Sequence, residues 1–238
     1  MFRSIVWVLY FLLYFAVSLP VALVYGFLFV FAGWHVSRVF ISGYIGFWAR
    51  SLFRVGGARI TVEGMANLPP RNGLCFVANH EGMGDIPLVL GYIPGMTGFI
   101  AKRSLFFVPV LNLWMMILRC IPLKRHDLKN AKKAIERGVS RLESGWNLLV
   151  FPEGTRSRGG PMKPFKTGSL KLALRSGADI VPLTIRGTWG ILEKHGRVTP
   201  GEVRLIIHPP VSMSGYSEKQ THILAHVLET IIQNAGGE

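Results

Sequence analysis

Asn79-His80-Glu81-Gly82-Met83-Gly84-Asp85 sets an imidazole and a carboxylate five residues apart. Imidazole is the usual general base near neutral pH, and a carboxylate partner fixes its tautomer and stabilises its protonated form. A spacing of five does not bring two side chains onto one face of a regular helix, where three or four is needed. The pair therefore requires a loop or a distorted first helical turn, which Gly82 and Gly84 permit. By spacing alone, His80 and Asp85 are equally a helix-capping carboxylate near a hydrogen-bonded core histidine.

Phe151-Pro152-Glu153-Gly154-Thr155-Arg156-Ser157 is the second polar group, at the end of an apolar run. Glycine lets a backbone approach an anion, Thr and backbone N–H groups donate, and Arg offers a bidentate fork to phosphate. Glu153 has the chemistry to orient that Arg or an incoming hydroxyl. A solvated polar turn is the plainer reading. Lys166-Thr167-Gly168-Ser169 opens a helical segment, and a helix start with an added ammonium favours an anion. It lacks the full pattern of a nucleotide P-loop. Lys102-Arg103 is a third basic group after an apolar run. His222 and His226 are four apart, but no third ligand accompanies them, and an ordinary helix face fits better.

The elements that must position these groups read as alternating short apolar runs and helical segments from residue 58 onward. Candidate strands are 59–63, 74–78, 98–101, 146–151, 180–186 and 203–208. Candidate helices are 86–92, 110–118, 127–143, 167–176 and 217–234, with Asp127 as an N-cap and Gly145 as a stop. The strand interiors are nearly continuous Val, Ile, Leu and Phe, as expected for a sheet covered on both faces. This predicts an α/β fold with a mostly parallel or mixed sheet flanked by helices. It also puts His80 beyond the carboxyl end of a strand, where such sheets place their sites.

The N-terminus is different. Residues 1–62 contain no Asp, Glu or Lys, and residues 4–34 carry no charge. As one helix, those 31 residues would extend about 46 Å, more than a hydrocarbon core of about 30 Å. Pro20 is comfortable at a helix start and poor in a helix interior, so Ser18-Leu19-Pro20 reads as one helix ending and another beginning. Arg3 before the block and Arg38, Arg50 and Arg54 after it suit a hairpin that enters and leaves on the cytoplasmic side. A single kinked transmembrane helix is the alternative. The second helix is expected to run on to Gly56-Gly57. The resulting division is a membrane-anchoring hairpin over 1–57 and an α/β domain over 58–238.

Composition agrees. The chain has 238 residues, half of them apolar, with only 17% charged and a formal net charge of +14. This excludes a disordered chain and points to a membrane surface, with nucleic acid as the rival partner. Residues 102–137 hold nine Lys and Arg against two acids, around the almost wholly apolar 105–118. That apolar segment is either a buried core helix, or a second membrane contact or channel wall. Cys75 and Cys120 are far apart and in no CxxC pair, so two reduced buried thiols are expected rather than a disulfide or a zinc site.

In combination and order these motifs resemble the glycerolipid acyltransferases, specifically the lysophosphatidic acid (1-acyl-glycerol-3-phosphate) acyltransferases. The blocks are Asn79–Asp85, Gly98–Leu105, Phe151–Ser157 and Val181-Pro182-Leu183-Thr184-Ile185. The resemblance implies transfer of a fatty acyl group from acyl-CoA or acyl carrier protein to the sn-2 hydroxyl of lysophosphatidic acid. It makes His80 the base and Asp85 its orienting partner. It assigns the glycerol phosphate to Glu153, Gly154, Thr155 and Arg156, with Lys102, Arg103 and Lys166 adding charge. It implies no metal, no cofactor and no covalent intermediate, and a site in the cytoplasmic leaflet among membrane lipids. Nucleic acid is not an expected partner. Glu81 and Gly82 stand where many relatives carry other residues. The alternatives are another acceptor, such as glycerol 3-phosphate or a different lyso-lipid, or a non-catalytic basic scaffold on membrane lipids.

Overall fold

The computed structural model describes residues 1–124 and 127–235; Arg125 and His126, inside the basic stretch, and residues 236–238 lie outside the described residues. The α-helices are α1 (Phe2–Phe31), α2 (Gly33–Gly56), α3 (Asp85–Tyr92), α4 (Leu111–Ile117), α5 (Leu128–Glu143), α6 (Lys171–Ser176), α7 (Thr188–Leu192) and α8 (Thr221–Asn234). The strands are β1 (Ala58–Glu63), β2 (Cys75–Ala78), β3 (Thr97–Lys102), β4 (Ile121–Leu123), β5 (Asn147–Val150), β6 (Ile180–Arg186) and β7 (Gly201–Ile207). The chain divides into two compact units. One comprises Met1–Thr61, Gly82–Met96 and Gly187–Val203; the other comprises Val62–Glu81, Thr97–Arg186 and Arg204–Glu238.

In the first unit, α1 corrects the expected break at Pro20: the helix runs unbroken through it. Proline removes one backbone hydrogen bond, but a break would strip several more, and in apolar surroundings no water would satisfy them. The chain turns instead at Ala32–Gly33, where Gly33 has φ +81°, a region open to glycine. α1 is long and apolar enough to cross a membrane. It is paired antiparallel with α2. The Trp7 indole donates to the Leu52 carbonyl at 3.1 Å, and the Tyr10 hydroxyl donates to Ser51 Oγ at 2.6 Å. The Tyr14 ring lies 5.2 Å from that of Tyr44. So a two-helix hairpin does form, with its corner twelve residues later than Pro20 suggests. α2 ends at Gly57 in the left-handed conformation. α3 docks on α2, where Arg50 donates to the Gly91 carbonyl at 2.7 Å.

The second unit holds the sheet apart from the first residues of β1 and β7. Its order is β1-β7-β6-β2-β5-β3-β4. β6, β2, β5, β3 and β4 pair in parallel, and β7 runs antiparallel to β6. The sheet is therefore mixed, as the apolar strand interiors suggest. β2, β5 and most of β6 are buried throughout. Their side chains join Leu142 of α5, Leu172 of α6 and Leu224 and Leu228 of α8 in one core. Burial of each such aliphatic side chain contributes about 1.5–3 kcal/mol. Asp127 caps α5, accepting the Asn130 N–H at 2.9 Å. Two short elements were not foreseen: β4, which contains Pro122 and sits on the sheet edge where proline is tolerated, and α7. Residues 105–118 are not a buried core helix. A 3-10 turn over Arg103–Phe107 leads into α4, and only Met115 and Leu118 are buried. Cys75 and Cys120 are free and buried, and burial pushes both thiols up to about 12.

Candidate active site

The parallel strands of the second unit deliver His80, Lys102-Arg103 and the Phe151–Ser157 loop to the same end of the sheet, beyond the carboxyl ends of β2, β3 and β5. Asn79 ends the β2 strand by bridging to β6. Its amide donates to the Ile185 carbonyl and accepts the Ile185 N–H, both at 2.8 Å. These two hydrogen bonds fix the point from which His80 departs.

His80 is then held on three sides by the loop after β5. Its ring stacks on Phe151 with centroids 4.0 Å apart and planes 17° from parallel. Its carbonyl accepts the Ser157 N–H at 2.7 Å, and the Glu81 carbonyl accepts the Arg158 N–H at 3.1 Å. Its own N–H donates to Glu153 Oε1 at 2.7 Å. Glu153 Oε2 accepts the Lys163 N–H at 2.9 Å. Glu153 is 2% exposed. Burial raises its carboxyl pKa, partly opposed by those two N–H groups and by the charges of His80 and Lys163. Both oxygens thus serve the chain's own backbone, whereas the sequence suggested a ligand for substrate.

Gly154 has φ +70°, and a Cβ there would come within 3.1 Å of Lys166 Nζ. The ammonium therefore lies over the glycine backbone, an arrangement suited to an anion. Thr155 and Arg156 follow, both half-buried. Lys102 and Arg103 are exposed and line an open pocket with Ser104, Phe107, Leu123 and Lys124. Among the described residues, no three His, Cys, Asp or Glu side chains gather as metal ligands.

Asp85 belongs to the first unit. It is the first residue of α3 and is fully buried. Its Oδ2 accepts the Gly82 N–H at 3.1 Å, and its Oδ1 accepts the Thr188 hydroxyl. The intervening turn is tightened by Glu193, which accepts the Met83 N–H at 2.6 Å. A Cβ on Gly82 would lie 2.7 Å from Glu193 Oε2 and 3.0 Å from Trp189 Cα, so a larger residue there would press on both. Thr188 and Glu193 carried no signal in the sequence, being more than a hundred residues from the turn they hold. Phe151 opens the Phe151–Ser157 motif, but its stacking on His80 carried no signal in the sequence.

A histidine at the carboxyl end of one parallel strand, clasped by a basic, Gly-containing loop beyond the next, is a candidate site of the α/β class with cations placed to suit an anion. The acyltransferase family model matches residues 59–186. A 1-acyl-sn-glycerol-3-phosphate acyltransferase of Borreliella burgdorferi is 30% identical over 73% of this chain and 70% of its own length. A chloroplastic enzyme of the same name from Brassica napus is 35% identical over 63% of this chain, which spans only 44% of that relative. The crystal structure of the Thermotoga maritima 1-acyl-sn-glycerophosphate (LPA) acyltransferase, PlsC, superposes with a TM-score of 0.79 at 30% identity, covering 98% of this chain and 95% of that one. The chain belongs to the acyltransferase family.

Proposed function

We propose that this protein transfers a fatty acyl group from an acyl thioester to the free sn-2 hydroxyl of 1-acyl-glycerol 3-phosphate, giving phosphatidic acid. The observation that carries the reading is the clasp on His80, whose backbone is bonded to Glu153 and Ser157 and whose ring is stacked on Phe151. A general base needs a fixed position more than it needs a special environment.

In this scheme His80 takes the proton of the acceptor hydroxyl as its oxygen attacks the thioester carbonyl. Asp85, whose carboxylate Thr188 and Gly82 hold in place, orients the imidazole and stabilises its charged form. The tetrahedral intermediate collapses, the C–S bond breaks, and the imidazolium returns its proton to the leaving thiolate. A thioester is already activated, so no covalent enzyme intermediate is required. Gly154, Thr155, Arg156 and Lys166 receive the glycerol phosphate, with Lys102 and Arg103 adding positive charge. Glu153 acts indirectly, as a positioning residue. The donor is acyl-CoA or acyl carrier protein. Residues 1–57 anchor the chain in the cytoplasmic leaflet, and residues 58–238 form the catalytic domain on the cytosolic side.

Purified protein supplied with one acyl thioester and a panel of acceptors tests the reading, with His80→Ala as the blank. Phosphatidic acid formed from lysophosphatidic acid, and lost in the blank, is expected. A preference for glycerol 3-phosphate would overturn the acceptor. Undiminished turnover by His80→Ala would overturn the mechanism.

A further inference from the structure

Large apolar side chains on a folded domain are ordinarily covered, and a cluster left bare marks a surface that something else covers. The second unit carries such a cluster between β3 and β4. Phe107 is 71% exposed, Met116 59%, Val108 41% and Leu105 40%. These four lie within twelve residues, and Asn112 is the sole residue with a polar side chain from 105 to 118. The backbone supports their display. Val110, a β-branched residue, takes φ +64°, where such residues are rarely found, as the chain turns from the 3-10 segment into α4.

The charge around the cluster is predominantly positive. No Asp or Glu occurs between Asp85 and Asp127. Lys102, Arg103 and Lys124 share a pocket with Phe107 and Leu123, so cations and bare apolar groups meet on one surface. Beyond β4, the first turns of α5 add exposed Lys129, Lys132 and Lys133. Lys124 also pairs with Asp127 at 3.6 Å, but cations remain in clear excess. Apolar side chains flanked by such an excess match a layer that is anionic at its face and hydrocarbon beneath.

We propose that the 103–116 segment is a second bilayer contact, separate from α1. Leu105, Phe107, Val108 and Met116 enter the interface of an anionic membrane, and Arg103 and Lys124 lie at headgroup level. This rests on the protein working at a bilayer, as read above, and adds a contact made by the α/β unit itself.

The test uses the full chain reconstituted into vesicles whose phosphatidylglycerol and phosphatidylcholine carry brominated acyl chains. Single cysteines at Phe107→Cys and Met116→Cys carry a nitrobenzoxadiazole label. Leu13→Cys on α1 and Ile223→Cys on α8 are the reference sites. Cys75 and Cys120 are buried with raised thiol pKa, so labelling is confined to the introduced sites. The labels at 107 and 116 are expected to shift to shorter wavelength and lose about half or more of their emission to bromine, more so in phosphatidylglycerol-rich vesicles, while 223 stays unchanged. Quenching at 13 with 107 and 116 behaving like 223 would overturn the second contact and leave the anchor standing. A response at 107 to added acyl carrier protein but not to vesicles would equally overturn it, as an acidic protein would then be the occupant. No quenching at any site would remove the anchor and the contact together.

Discussion

Glu153 holds His80 by its backbone: a carboxylate 73 residues further along the chain accepts the histidine N–H at 2.7 Å. The same carboxylate takes the Lys163 N–H, so one buried side chain ties the turn after β2 to both ends of the loop after β5. The Arg156 and Lys166 groups are borne by the loop so fixed. The proposed base therefore depends on an anchor that belongs to the same loop as the proposed anion-binding groups.

Glu153→Gln tests that anchor. The amide keeps one acceptor and turns an N–H₂ toward a second backbone donor, leaving one N–H without its partner. A buried donor so stranded costs about 1–3 kcal/mol. Displacing a base by about 1 Å is enough to cost about 100-fold in rate, so kcat is expected to fall by about 10–100-fold. The KM for lysophosphatidic acid should change little, because the carboxylate faces backbone rather than solvent. Steady-state kinetics against acceptor concentration checks this. A large rise in KM with kcat preserved would return Glu153 to the role of ligand.

Thr188→Val tests the support of Asp85. The substitution keeps the shape of the side chain and removes the hydroxyl that donates to a fully buried carboxylate. Hydrogen bonds to charged groups contribute about 1.5–3 kcal/mol, so thermal stability should drop measurably. Acyl transfer should fall as well, and Thr188→Ser, which restores the hydroxyl, should recover most of it. If Val and Ser variants were equally impaired, packing of the Thr188 methyl would be the cause rather than the bond to Asp85.

The elements were legible where a local rule decides them. β6 is a seven-residue apolar run, Asp127 is a capping residue before a polar-faced helix, and Gly57 ends α2 where two glycines meet. Pro20 misled because its cost is set by water competing for the freed backbone groups, and α1 is apolar enough, over a span long enough to cross a membrane, for that competition to be weak. β4 and α7 are three and five residues long, and Pro122 and Gly190 interrupt the little pattern they have. The candidate site is assembled from two compact motifs, which carry His80, Asp85, Glu153 and Arg156. Its internal bonding was not legible. Whether Glu153 faces substrate or backbone, and that Thr188 and Glu193 hold the Gly82 turn, depends on tertiary placement that no spacing encodes.

His208 gives a pH dependence with a definite sign. Its ring Nε2 lies 2.8 Å from Thr184 Oγ1, and the Thr184 hydroxyl donates to the Ile232 carbonyl at 3.1 Å, so the imidazole supports the hydroxyl that joins β6 to α8. Burial lowers the pKa of this ring below its ordinary value. In the unfolded chain the ring takes up its proton near pH 6.5, whereas in the fold it does so only at lower pH. The unfolded state thus binds more protons in that window, and stability falls as pH drops below about 6.5 toward the folded pKa. Above about 6.5 both states are neutral at this position and its contribution is constant. His208→Gln retains a donor to Thr184 and cannot titrate. Between pH 7.5 and 5.5 the melting temperature of the native protein should therefore fall more steeply than that of the variant, measured by scanning fluorimetry in the same detergent. Parallel curves for the two proteins would mean that the acid loss arises elsewhere and that the half-buried imidazole is not its source.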